Sequence, residues 1–327
     1  MSERGRKRKR SIHDTCRPPV DLSKIRMALS HLDALKTELD GIEETEEELA
    51  SISKHVLAVE EILRGAKKPR VTFSTVKPED LKRGGVVRKR LVFDPKKVTE
   101  LAKAVTEAAV EAEIADLHSR IKKIYAHVNM DYEPGSRMIL DAILLALAGV
   151  ASVEQRSVAI LPEMRLAQGE GVQITHPISG YELWLSGNVD YAVIEYENKW
   201  DYKDRLLSPG GSREDAFDIS KGRLFLVQAK RQSLEETLVL YIPEAVSQAI
   251  ALLKTANLPE VRFCLSDGHS WLFFLLKSED GELTYYESAP RRLSRDTLEN
   301  SDLQLREIVQ LICDWLRPTV TGLFELQ

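Results

Sequence analysis

Three side chains on two apolar segments carry the functional groups that phosphodiester chemistry uses. Asp190 sits in Ser186-Gly187-Asn188-Val189-Asp190-Tyr191, which runs on into Ala192-Val193-Ile194. Gln228 and Lys230 close the run Leu224-Phe225-Leu226-Val227-Gln228-Ala229-Lys230, and Gln228 follows Asp190 by 38 residues. Both segments read as strands: they are short, aliphatic or aromatic, and bounded by Gly and charged residues. A period of two puts Gln228 and Lys230 on one side with Ala229 on the other. A carboxylate and an ammonium at the ends of buried strands are costly to desolvate unless each meets a charge or a metal ion. Hydrolysis of a phosphodiester needs a divalent ion that gathers phosphate oxygens and acidifies a water. Mg²⁺ takes one or two protein carboxylates and retains several waters, so a sparse oxygen set suffices. Asp190 is the candidate ligand, with the amide oxygen of Gln228 and the backbone carbonyl of Ala229 beside it. Lys230 is the candidate cation for the phosphate or the attacking water.

Those residues need a core to hold them, and the composition supplies one. The chain has 327 residues, 43% hydrophobic and 30% charged, which is the profile of a soluble globular protein with one sizeable core and an accessory region. Its longest apolar run, residues 138–150, contains Asp141 and is short for a bilayer span. The N-terminus shows no signal-peptide core. Cys16, Cys264 and Cys313 are odd in number and far apart, which argues for a reducing compartment and against a disulfide framework or zinc site.

Charge is distributed unevenly. Residues 1–10 carry a net +5 and residues 65–97 a net +8, which leaves −18 on the remainder of a chain whose total is −5. Basic segments on an acidic body suit contact with a polyanion. Arg4-Gly5-Arg6-Lys7-Arg8-Lys9-Arg10 has the density of a nuclear localisation signal. In the second segment, Lys82, Arg83, Arg88, Lys89 and Arg90 are candidate nucleic-acid contacts. In the loop 197–222 and the Arg223 that follows it, Lys199, Lys203, Arg205, Arg213, Lys221 and Arg223 are matched in number by Glu and Asp, so that stretch reads as a solvated polar loop.

The pattern along the chain predicts a basic disordered tail over 1–20, then a helical segment over 21–64. There, apolar residues alternate steps of three and four, the seam of a coiled coil or of a helical hairpin broken near Asp40-Gly41. This segment is a candidate for self-association. A basic linker with room for short strands is expected over 65–96, a helix over 97–129, and the main domain over 130–327. The main domain reads as a helix from Glu133-Pro134, strands near 157–161, 181–185, 189–196 and 224–230, a helix near 243–254, strands near 261–265, 271–277 and 282–287, and a last helix over 303–316. A helix after the central strand predicts an α/β (α+β) core.

With those elements in order, the sequence resembles the PD-(D/E)XK nuclease superfamily, and is most similar to nuclease domains of fungal Crinkler-related proteins. The resemblance covers roughly residues 130–290. It rests on Glu133-Pro134-Gly135-Ser136 opening the first helix, Leu161-Pro162-Glu163, the Gly187 to Tyr191 strand, Val227-Gln228-Ala229-Lys230 where Val-Glu-Ala-Lys is usual, the helix with Gln248, and Leu265-Ser266-Asp267-Gly268-His269-Ser270-Trp271. It implies a restriction-endonuclease-like mixed sheet flanked by helices, with Mg²⁺ or Mn²⁺ as cofactor and DNA as substrate. It also implies Asp190 and Gln228 as metal ligands, Lys230 as the catalytic cation and Glu133 as the acid of the first helix. Glu163 competes for that last role and is a further candidate ligand, and Gln248 is a DNA-facing amide. Gln228 is the departure, because it removes one negative charge. Two functions follow: a metal-dependent nuclease acting in the nucleus, or an inactive nucleic-acid- or protein-binding module attached to a coiled-coil interaction region. Trp184, Trp271 and Trp315 read as packing residues, and His176 and His269 receive no role.

Overall fold

The computed structural model describes residues 22–39, 50, 52–54, 56–57, 70–104, 106–166, 171–176, 178, 181–208, 215–230, 237–279 and 281–327. The chain divides into two compact units at the Pro69/Arg70 boundary. In the first, helix α1 (Leu22–Leu39) covers the first of the two predicted apolar runs. The basic tail 1–20, the break near Asp40-Gly41 and most of the second run lie outside the described residues.

The second unit is a large mixed sheet with helices on both faces. Its strands are β2 (Val86–Phe93), β3 (Arg156–Arg165), β6 (Asn188–Glu197), β7 (Leu224–Ala229), β8 (Glu260–Ser266), β9 (Ser270–Glu279), β10 (Glu282–Ser288), β11 (Arg291–Arg292) and β12 (Phe324–Leu326). Among the described residues the spatial order is β12-β2-β10-β9-β8-β7-β6-β3, with β11 pairing to β9. Strands β3, β6 and β7 form an antiparallel meander. Helix α8 (Ile242–Thr255) then carries the chain over to β8, which runs parallel to β7. A parallel neighbour requires such a crossover, and a helix is its usual form.

Alternate residues of these strands supply two cores. Leu224, Leu226, Ala192 and Ile194 face one side, where Val246, Ala249, Ile250 and Leu253 of α8 cover them. The same side packs a small sheet of β1 (Arg70–Thr72), β5 (Glu182–Ser186) and β4 (Val172–Thr175). Val193, Phe225, Val227 and Cys264 face the other side. There they meet α3 (Pro95–Lys103), α4 (Ala108–His127), α5 (Glu133–Ala151) and α10 (Leu303–Leu316). Trp271 and Trp315 are fully buried on that side, as read from the sequence, and Trp184 is half-buried in β5. Helix α5 and the stretch Leu238–Thr255 are long and apolar enough to cross a membrane, which the interrupted run at 138–150 did not suggest. Much of their apolar surface is taken up by the two cores.

Three stretches differ from expectation. The basic linker holds short strands as read, but also a 3-10 turn at Phe73–Thr75 and helix α2 (Pro78–Arg83), and its second strand, β2, lies inside the main sheet parallel to β10 rather than in a linker. The helix expected over 97–129 is two helices, α3 and α4, because no apolar residue holds the seam between Val105 and Val110 and the backbone turns extended at Ala104 and Glu107. The polar loop 197–222 contains α6 (Trp200–Leu207), which buries Leu206, and α7 (Ala216–Ser220), which buries Ala216 and Ile219.

Pro134 sits in the first turn of α5, where its missing N–H costs little. The next residue, Gly135, lies so close to the preceding chain that a Cβ there would stand 2.2 Å from the backbone oxygen of Asn129. Gly135→Ala is therefore expected to destabilise the protein by about 1–3 kcal/mol through forced backbone movement. Thermal denaturation followed by circular dichroism checks it, and an unchanged midpoint would show that the chain at Asn129 gives way freely.

Candidate active site

Helix α5 crosses the β3–β6 end of the sheet with Glu133, Arg137 and Asp141 at i, i+4 and i+8, one face of the helix. That face is polar because it is aimed at polar groups on β6. Arg137 Nη2 donates to Asp190 Oδ1 at 2.9 Å, and one turn on, Tyr191 OH donates to Asp141 Oδ1 at 2.6 Å. Arg137 also gathers both candidate acids, with Nε 3.0 Å from Glu133 Oε1 and Nη1 3.5 Å from Glu163 Oε1. The structure thus brings Glu133, Glu163 and Asp190 together around a guanidinium that the sequence did not single out.

Asp190 is the buried member of this group, its side chain 14% exposed against 47% for Glu133 and 60% for Glu163. Its second oxygen, Oδ2, accepts the backbone N–H of Ala229 at 2.7 Å, which ties β6 to the end of β7 through a side chain. Burial pushes the Asp190 carboxyl above the ordinary carboxylate range, opposed by the Ala229 N–H, Arg137 and Lys230. For Arg137, burial pulls downward, but Asp190, Tyr191 and Glu133 together hold it above its usual value.

The strand register aligns the candidates. Tyr191 pairs with both Val227 and Pro162, so continuing one residue sets Asp190 between Gln228 on β7 and Glu163 on β3. Glu163 adopts φ +51°, a left-handed conformation that a non-glycine residue adopts only at a cost. Its backbone departs from the strand at the level of Asp190, which lets its side chain reach Arg137.

A second cluster forms on the α8 side. Lys230 Nζ lies 2.8 Å from Glu244 Oε2 and 4.8 Å from the centre of the Tyr241 ring. Gln228 Nε2 donates to the other oxygen of Glu244 at 3.3 Å and more distantly to Ala229 O. A carboxylate only accepts, so it fixes the amide with its NH₂ toward Glu244 and its Oε1 elsewhere. That Oε1 is buried and has no hydrogen-bond partner among the described residues. One helical turn on, Gln248 Nε2 reaches Asn188 O at 3.4 Å, and its Oε1 is also without a partner among the described residues. Glu244 was missed in the sequence. The available signal was its place one turn before Gln248 on the same helix face.

A hard divalent ion would find suitable oxygens here: one buried carboxylate at Asp190, the orphaned amide oxygen of Gln228 and the carboxylate of Glu163. Among the described residues no three Asp, Glu, His or Cys side chains group closely enough to hold a metal by themselves, so amide and water oxygens would complete its shell. Arg137 competes for the same Asp190 oxygen.

The basic candidates are elsewhere. Arg88, Lys89 and Arg90 lie on β2, five strand steps from β6 in the sheet, or roughly 24 Å at about 4.8 Å per step. Arg88 pairs with Glu287 at 2.8 Å and Lys89 lies over Tyr286, while Lys82 and Arg83 end α2. With Arg291 the β2 residues line an open groove of about 640 Å³. His269 is engaged structurally, with Nδ1 2.7 Å from Tyr125 OH, and burial holds its pKa below the usual value. Neither the scan against family models nor the search of curated proteins finds a match to this chain.

Proposed function

We propose that the second unit hydrolyses phosphodiester bonds of nucleic acid, with DNA as the favoured substrate, and requires Mg²⁺ or Mn²⁺. The observation that carries this reading is the buried Gln228 Oε1, an acceptor with no partner among the described residues, beside the mostly buried Asp190 carboxylate and two residues before Lys230. A mixed sheet flanked by helices, with Asp190 and Gln228 on adjacent strands and Lys230 just past the end of one of them, supports the restriction-endonuclease-like resemblance. Asp190, Gln228 and Glu163 are the residues suited to hold the ion, which when bound would polarise the phosphate and acidify a water. Lys230, kept in place by Glu244, supplies positive charge to the phosphate, and Glu133, paired to Arg137, is the candidate for moving a proton. Metal-dependent cleavage of plasmid and single-stranded DNA by the full chain tests the proposal directly.

A second reading is favoured by one observation: Arg137 occupies the Asp190 carboxylate, and Gln228 brings no charge to offset it. On that reading the unit binds nucleic acid without cutting it. Binding with no cleavage at any Mg²⁺ or Mn²⁺ concentration would select it. Residues 4–10 support nuclear residence, and residues 21–64 self-association.

In either case the groove on β2 offers contacts to a backbone. Arg88→Ala and Arg90→Ala are each expected to flatten the slope of log K against log salt by roughly 0.9 on duplex DNA. Titrations at several salt concentrations measure this, and unchanged slopes would remove β2 from the binding surface.

A further inference from the structure

At the other end of β6, on the face opposite Asp190, three arginines converge on one carboxylate. Glu195 is buried, its side chain 1% exposed. Its Oε1 accepts from Arg156 Nη1 at 2.6 Å and from Arg223 Nη1 at 2.8 Å. Its Oε2 accepts from Arg317 Nε at 2.6 Å, and Arg317 Nη2 also reaches Oε2 and Ala151 O. The arginines come from β3, the turn before β7 and the end of α10, so the fold assembles this group from separate parts of the sequence.

The charge does not balance. One carboxylate neutralises one guanidinium, and two positive charges remain. Arg156 and Arg223 share one oxygen of Glu195, which holds two like charges close together. Glu195 lies between these like charges and offsets only part of their repulsion, and a further anion would offset more of it. Each guanidinium keeps N–H donors that Glu195 does not use, since arginine has five. Their side chains are 36%, 45% and 33% exposed for Arg156, Arg223 and Arg317, so those donors reach solvent. Lys221 and Lys199 lie next to the group, both paired to Glu197.

There is also space. A cavity of about 210 Å³ beside the group is lined by Arg156, Arg223 and Lys221 together with the carboxylates of Glu195 and Glu197, the second of these already paired to Lys221, and Arg317 is not among its lining residues. With about 30 Å³ per water in the liquid, it holds several waters or a small anion. The planar forked donors of arginine match the oxygens of a phosphate group better than any other side chain.

We infer that Arg156 and Arg223, oriented by Glu195 with Arg317 bonded to its other oxygen, form a phosphate-binding site separate from the Asp190 centre. Glu195 fixes the forks before the ligand arrives, and the phosphate takes up the two charges that Glu195 leaves. The inference does not depend on whether the unit cleaves nucleic acid. The site's ligand chemistry is a phosphate group, either the dianion of a free phosphate compound or the singly charged diester of a strand.

Isothermal titration of the full chain with inorganic phosphate, pyrophosphate and a twelve-nucleotide single strand tests it, using Arg223→Gln, Arg156→Gln and Lys230→Ala. Arg223 makes a single side-chain bond to Glu195, so its replacement leaves most of the cluster in place. Pyrophosphate should still bind Lys230→Ala, and should bind each arginine variant about tenfold more weakly than the natural protein, the loss of one charge-assisted contact. If the twelve-nucleotide strand loses affinity in parallel, the phosphate belongs to a nucleic-acid backbone. If only pyrophosphate does, the ligand is a free phosphate compound. Absence of phosphate and pyrophosphate binding, or binding that survives both arginine changes, would overturn the inference. So would loss of binding in Lys230→Ala alone.

Discussion

Asp190→Asn and Lys230→Ala are each expected to lower Mg²⁺-dependent DNA cleavage by at least about a hundredfold, the scale on which a single charge-stabilising group acts in a closed site. Asparagine is the better replacement at 190, because its amide oxygen can still accept the Ala229 N–H that alanine would strand at a cost of about 1–3 kcal/mol. Lys230 lies outside the core and its loss should leave the fold intact, which circular dichroism would verify. Gln228→Glu is the most informative change. It places a second carboxylate beside Glu244, where the present amide donates at 3.3 Å, with Lys230 as the cation already in place. Two adjacent carboxylates repel, and a bound cation relieves that repulsion. Titration with Mg²⁺ should therefore show affinity tightened by roughly tenfold, about the value of one charged contact. Heat of binding absent from both the natural protein and Gln228→Glu would leave the non-cleaving module as the surviving account.

The largest stability effect is expected at Glu195. Glu195→Ala removes the one acceptor that Arg156, Arg223 and Arg317 share, and leaves three positive charges facing each other on three elements. Breaking a buried ion pair from one side costs about 3–5 kcal/mol, and the partial exposure of the arginines places this case near the lower end. For a unit of this size that corresponds to a fall in Tm of roughly 6–12 °C. Glu195→Gln retains an acceptor and should lose less. Differential scanning calorimetry separates the two, and a Tm for Glu195→Ala equal to that of the unaltered chain would show that the arginines find other partners.

Much of the second unit was legible because its strands are apolar and end at charge. The strands carrying Asp190 and Gln228, helix α8 and helix α10 lie within a residue or two of their predicted bounds. Strand β2 was hidden by its composition. Val86-Val87-Arg88-Lys89-Arg90-Leu91-Val92-Phe93 reads as a basic stretch, yet Glu287 and the Tyr286 ring on β10 take up Arg88 and Lys89 from the neighbouring strand. Pairing partners some 200 residues apart leave no local trace. Arg137 and Glu244 were hidden for another reason: a charge on a helix is ordinarily solvated, and only the packing of α5 and α8 against strand ends turns these two inward. The register that sets Glu163, Asp190 and Gln228 side by side likewise depends on how β3 and β7 settle on β6.

The pairing of β2 has a further outcome, for the order of events when the chain emerges from a ribosome. Residues 86–93 are among the first of this unit to be made, but their two neighbours are residues 282–288 and 324–326, among the last. Closing so long a loop is entropically demanding and slow, and topologies dominated by such distant pairings fold late. Until Leu283 arrives, Leu91 and Phe93 have no sheet to join, and their apolar faces stay open to other chains. The backbone pairing of the meander around Asp190 uses nothing made after Ser266 and can form before then, with α10 covering one face of it later. Nascent chains halted near residue 270 should protect the Asp190 strands from a protease while residues 86–93 are still cut.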